Sequence, residues 1–147
     1  MAKQKYIPCD IYRRGVTVFI GTYAEMVAWA KKEFTDLRYK DFLYGMEQLQ
    51  GGYMDTHYDC GSCVVRIPSF PTTPEESAAL GHEILHATHY ILSYCGVEFV
   101  WKGNNEAYTY LFEWLQQNAL TEDGYEEVSD CTTQSDTLSD DEEVTSS

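Results

Sequence analysis

His82, Glu83 and His86 stand in the order H-E-x-x-H within GHEILHATHY, residues 81–90, a stretch that holds three of the chain's four histidines. On a helix, residues four apart project from one face about one turn apart, so both imidazoles can reach one cation. Zn²⁺ takes imidazole nitrogen at about 2.0 to 2.1 Å and leaves room for a bound water, with Glu83 beside it as a general base. Zn²⁺ is therefore the cofactor that this spacing implies.

Helical periodicity sharpens the reading. At about 100° per residue His82, His86 and His89 fall in one narrow sector, with Ile84, Leu85, Thr88, Ile91, Leu92 and Cys95 expected on the opposite, packing side. A core histidine would sit inside that apolar stripe, and these do not. His89 is excluded as a co-ligand of His82, because seven residues at about 1.5 Å rise separate the two by roughly 10 Å along the axis. It is left with lining the cleft or plain exposure. The third ligand must come from another element. In NNEAYTYLFEWL, Glu106 shares a sector with Thr109, Tyr110, Glu113 and Gln117, while Tyr108, Leu111, Phe112, Leu115 and Ala119 form the apolar stripe. A short connection forces the two helices against each other, so Glu106 is expected to approach the histidine face and complete a His₂Glu set. The competing reading makes it a first-turn Glu that suits the helix dipole.

These residues need elements to carry them. Thr73, Pro74 and Glu76 form a capping box with Pro at the first helical position, which predicts a helix over about 74–95 stopped by Gly96. A second helix is predicted from Asn104 or Asn105 to Asn118. Upstream, VTVFI alternates as a strand with YIPCDIY as an edge partner, and TYAEMVAWAKKEF starts a helix with a Thr22–Glu25 capping box. A shorter helix follows through DFLYGMEQLQ to Gly51 and Gly52. YMDTHY and CVVRI then read as a hairpin closed by DCGS. Cys60 and Cys63 in CGSC make a lone C-x-x-C; flanking a hairpin turn is the simpler account, a metal clip or redox pair the alternative.

Composition bounds the rest. The chain has 147 residues, a formal charge of −14 and five cysteines in no disulfide-framework spacing. Residues 121–147 hold ten Asp and Glu and no Lys or Arg, leaving residues 1–120 with 10 basic and 14 acidic groups. The division expected is one folded domain over 1–120 and a disordered acidic tail over 121–147, a solubilising end or a contact for a basic partner. No basic stripe exists to meet phosphate, which excludes nucleic acid as a partner. No window approaches 18 apolar residues and the first 20 are not of signal-peptide type, so a soluble, cytoplasmic protein without a membrane partner is expected.

The chain resembles the gluzincins, zinc peptidases of the thermolysin type, in having H-E-x-x-H followed 20 residues after its second histidine by a helical Glu. The likeness covers roughly residues 16–118 and is nearest to small single-domain zincin-like proteins of bacteria and their phages. It implies an α+β minimal zincin fold: a short, mainly antiparallel sheet on the H-E-x-x-H helix, with a backing helix and a C-terminal ligand-bearing helix. By it His82, His86 and Glu106 match the metal ligands and Glu83 the general base. Many gluzincins have an Asp four residues after the ligand Glu; Tyr110 stands there here, with a role in holding a ligand imidazole or steadying an oxyanion. His89, Tyr58 and His57 are further oxyanion candidates. CVVRI corresponds to the strand whose edge pairs with extended substrate in zincins. The activity implied is zinc-dependent hydrolysis of peptide or protein substrates, in the host cytoplasm if the chain is phage-encoded. The alternative is a phage or virion-associated interaction protein that keeps the metal as a staple.

Overall fold

The computed structural model describes residues 1–48, 54–59, 62–103 and 105–129. The elements run β1 (Lys3–Cys9), a 3₁₀ turn (Asp10–Tyr12), β2 (Arg14–Ile20), α1 (Tyr23–Glu33), α2 (Asp36–Gln48), β3 (Asp55–Asp59), β4 (Ser62–Ile67), α3 (Pro74–Tyr94), α4 (Glu106–Leu120) and β5 (Glu126–Glu127). The fold is α+β: five strands in the order β3-β4-β2-β1-β5, antiparallel except where β2 runs parallel to β4.

Strand alternation builds three layers. Ile7, Cys9, Val16, Val18, Cys63, Val65 and Ile67 point to one face and pack on Leu80, Ile84, Ile91 and Leu92 of α3 and on Leu111 and Leu115 of α4. Phe19 and Val64 point to the other, where they meet Met26, Trp29 and Ala30 of α1 and Phe42 of α2. This is the period-two rule of a sheet covered on both sides. Both capping boxes form: Thr22 and Thr73 accept from the N–H groups of Glu25 and Glu76, whose carboxylates reach back. Gly96, at φ +76°, ends α3 in the left-handed region that a side chain resists. Among the described residues no helix is long and apolar enough to cross a membrane.

Two expectations need correction. CVVRI is not an edge: β4 lies between β3 and β2, so among the described residues the edge strand at this end of the sheet is β3. A parallel β2–β4 pair spans two intervening helices, a contact that no local pattern announces. Order also continues past residue 120, to 129. Lys3 and Gln4 pair with Glu127 and Glu126, and Val128 N–H donates to Ala2 O at 2.9 Å. Residues 130–147, the rest of the acidic tail, lie outside the described residues.

Lys5 holds this C-terminal turn. Its ammonium donates to the carbonyls of Asn118, Thr121 and Asp123 at 2.8, 3.0 and 2.6 Å, capping the end of α4 with positive charge. Burial nonetheless pulls the Lys5 pKa below its ordinary value, with Asp123 opposing. Because the site is largely solvated, Lys5→Met is expected to cost only about 1 kcal/mol, a Tm drop of about 2 to 4 °C. Calorimetry of the two full chains checks it.

Candidate active site

α3 carries the histidines on its outward side, between the β3 end of the sheet and α4. The Nε2 atoms of His82 and His86 lie 3.0 Å apart, with the rings at 78°. The two distal nitrogens thus meet at one point, within hydrogen-bond distance of each other. Two nitrogens held tetrahedrally at about 2.0 to 2.1 Å would stand about 3.3 to 3.4 Å apart, a few tenths of an ångström more than the present separation. Both side chains are exposed, which leaves that point open to ligand and solvent.

Toward the sheet edge stands Glu83. Thr56 of β3 donates from its hydroxyl to Glu83 Oε2 at 2.5 Å and approaches Glu83 O at 3.1 Å. Two turns further along, Tyr90 stacks on Tyr58 with centroids 4.2 Å apart. The Tyr58 pKa is pushed up to about 12, by burial first and then by Cys63, Glu83 and Tyr90, so its phenol is neutral throughout the physiological range.

Toward α4 the histidines face a cleft of about 940 Å³ whose far wall is largely apolar. Leu85, Phe99, Tyr108 and Phe112 line it, with Thr109 and Gln116 at intervals. His89 lines the same cleft, its ring centroid 6.0 Å from that of Tyr108. Leu85 is a correction: expected among the packing residues, it is 54 % exposed in the cleft. At about 100° per residue it sits only about 60° from His82, on the boundary of the histidine sector.

The two remaining expected site residues are placed elsewhere. Glu106 is exposed and is not among the residues lining the cleft. The face of α4 turned to α3 is Tyr108, Thr109, Phe112 and Gln116, centred about 100° around the helix from Glu106. Axial level also separates them. A Cβ at Gly81 would lie 3.4 Å from Gln116 Nε2, and His89 faces Tyr108, which fixes an antiparallel register. Interpolating, the α4 residue opposite His86 is near 111, and Glu106 lies roughly 7 Å beyond it. Among the described residues no three His, Cys, Asp or Glu side chains are grouped to hold a metal. Tyr110 lies on the far side of α4, in a separate groove with Pro8, Ile11, Tyr12 and Trp114, and so does not face the histidines.

His57 is likewise away from the cleft. It is fully buried on the other face of the sheet, with the rings of Tyr23 and Phe42 at 5.9 and 5.6 Å. Of CGSC, Cys60 lies outside the described residues, and Cys63 is buried opposite Tyr58 in the β3–β4 ladder. Cys9 is buried too, its pKa pushed up to about 11 by desolvation and by Asp10, so in the metal-free protein it stays a thiol.

Thr56 was not among the residues expected at the site. Its signal was available: Met54, Thr56 and Tyr58 alternate on the inward face of the strand, and a buried hydroxyl in an inward position requires a partner. Phe112 and Gln116 carried no comparable signal, since both match an ordinary amphipathic helix. No protein family, curated protein or solved structure matches this chain. The functional reading therefore stands on the site itself.

Proposed function

We propose that the protein is a zinc-dependent metallopeptidase in which His82 and His86 bind Zn²⁺ and Glu83 is the general base. The observation that carries this reading is the approach of the two Nε2 atoms to 3.0 Å on α3, with Glu83 of the same helix held from the sheet edge by Thr56. Bound Zn²⁺ would polarise a carbonyl and lower the pKa of its water to about 7. Glu83 takes a proton from the attacking water and returns it to the leaving amine. The apolar wall of Leu85, Phe99 and Phe112 would receive an apolar substrate side chain while the histidines face the peptide group.

Two imidazoles do not make a complete site, and the proposal of Glu106 as third ligand requires α4 to move when the cation binds, since here Glu106 lies about 100° around that helix from its cleft face and roughly 7 Å along it from the level of His86. Glu106→Gln is expected to weaken zinc binding at least tenfold, a typical penalty for losing a ligand or its support. Competition against a chromophoric chelator measures this, and an unchanged affinity would remove Glu106 from the site. A second reading, a non-catalytic interaction protein, is favoured by the ungrouped third donor and by exposed Ile11, Tyr110 and Trp114 around a separate groove. Zinc per chain, measured by atomic emission for wild type and His82→Ala, tests the site common to both readings. Proteolysis of an unfolded protein by wild type and Glu83→Gln then separates them: zinc without Glu83-dependent cleavage favours the second.

A further inference from the structure

We propose that Thr56, on the edge strand β3, is the positioning residue for Glu83: its hydroxyl fixes one carboxylate oxygen so that the other takes and returns the proton. A Thr hydroxyl has a single hydrogen, and the two contacts it makes to Glu83 are unequal. The 2.5 Å separation to Oε2 marks the carboxylate as the acceptor of that hydrogen, whereas the 3.1 Å approach to the backbone oxygen is secondary. Thr56 itself is 4 % exposed, anchored in the β3–β4 ladder opposite Val65. The donor is therefore fixed by the sheet, not by the helix that carries the base.

This matters because a Glu on the surface of a helix has three rotatable bonds and no reason to keep one orientation. Ordering such a side chain costs up to about 2 kcal/mol, which a buried, charge-assisted donor offsets before any substrate arrives. With Oε2 held, Oε1 is the oxygen left for proton transfer. The anchor survives that transfer: when Oε1 carries the proton, Oε2 is still an acceptor and Thr56 still donates to it. The carboxyl keeps its place in both halves of a cycle that uses it first as base and then as acid. The β-branch of Thr56 adds stiffness at χ1, so the hydroxyl is confined as well.

The catalytic consequence rests on the peptidase reading, but the contact does not, and two measurements on the full chain keep them apart. The first is a thermal double-mutant cycle on metal-free protein with Thr56→Val, Glu83→Ala and the double variant. The Tm losses are expected to be non-additive by about 3 °C or more, and additive losses would overturn the anchor. The second is steady-state cleavage of an unfolded, fluorescently labelled protein by zinc-loaded enzyme. Thr56→Val is expected to lower kcat about tenfold or more with KM within twofold and one zinc per chain retained, while Thr56→Ser recovers kcat to within about threefold. Wild-type kcat in Thr56→Val overturns the positioning role, as does a Thr56→Ser variant as slow as Thr56→Val. If wild type cleaves nothing, the peptidase reading fails by itself, and the thermal cycle alone decides whether Thr56 holds Glu83.

Discussion

Glu83→Gln is expected to abolish peptide hydrolysis while leaving zinc content and fold intact. The substitution is nearly isosteric, and its amide oxygen can still accept the Thr56 hydroxyl that now reaches Oε2 at 2.5 Å. What it lacks is basicity: an amide neither removes a proton from water nor delivers one to a leaving amine. General acid–base assistance is typically worth 10² to 10⁴ in rate, so kcat should fall by about that factor, or about 3 to 5 kcal/mol of barrier. Neither proposed imidazole ligand is touched, so zinc per chain should stay at the wild-type value. Cleavage of a quenched fluorescent protein, read beside atomic emission on the same samples, is the measurement. Activity within a factor of about three of wild type would exclude Glu83 as the base. Zinc loss in parallel with activity would make Glu83 a support for the metal site.

The contrast between Glu83 and Glu106 shows which parts of the site could be read from the chain. Everything on α3 follows from local rules. A capping box at Thr73, Pro74 at the first turn and Gly96 after the last fix where the helix starts and stops, and a fixed start sets which residues share a face. His82 and His86 therefore converge as their spacing requires. Glu106 depended on something a single helix cannot specify, the rotation of α4 about its own axis. That rotation is set by burying Tyr108, Leu111, Leu115 and Ala119 against the sheet, which turns Thr109, Phe112 and Gln116 toward α3. The expected polar sector is split by this rotation: Thr109 turns into the cleft, while Glu106 faces past it. The same rotation places Tyr110 in the groove beside the 3₁₀ turn, away from the histidines.

Sheet order and the chain's last ordered turn were illegible for a different reason. The β3–β4 hairpin is local and was visible in the DCGS turn, yet which of its strands becomes the edge depends on β2, more than 40 residues earlier in sequence. Likewise, residues 121–129 look like acidic tail by composition. They are ordered by Lys5 and the first residues of β1, far away in sequence. Long-range pairing overrides composition wherever a short segment borrows its partners from the opposite end of the chain. Thr56 belongs between these cases: its inward position on β3 is local, but its partner on α3 is not.

Zinc is expected to raise the thermal stability of wild type and to leave that of His82→Ala nearly unchanged. A ligand that binds only the folded state stabilises it by RT ln(1 + [L]/Kd), about 2.7 kcal/mol when free zinc is a hundred times Kd. At about 2 to 4 °C per kcal/mol for a chain of this size, the wild-type Tm should rise by roughly 5 to 10 °C. The baseline should hardly move on mutation. His82 and His86 are both exposed on the outer face of α3, and truncating such a residue away from the core ordinarily changes stability by about 0.5 kcal/mol or less. The variant is thus expected to resemble metal-free wild type with and without zinc, and His86→Ala should behave the same way, because either imidazole alone leaves the cation one ligand short. Calorimetric scans with a zinc buffer and with a chelator give both numbers and need no substrate. Equal zinc-induced shifts in wild type and in the two single variants would mean that the cation binds elsewhere, and the 3.0 Å approach of the two rings would then be a hydrogen bond between imidazoles, one Nε2–H donating to the other nitrogen. A shift confined to wild type would put zinc between His82 and His86 whether or not any peptide is ever cleaved, since stabilisation by a bound cation depends on its ligands and not on the turnover that Glu83 is proposed to provide.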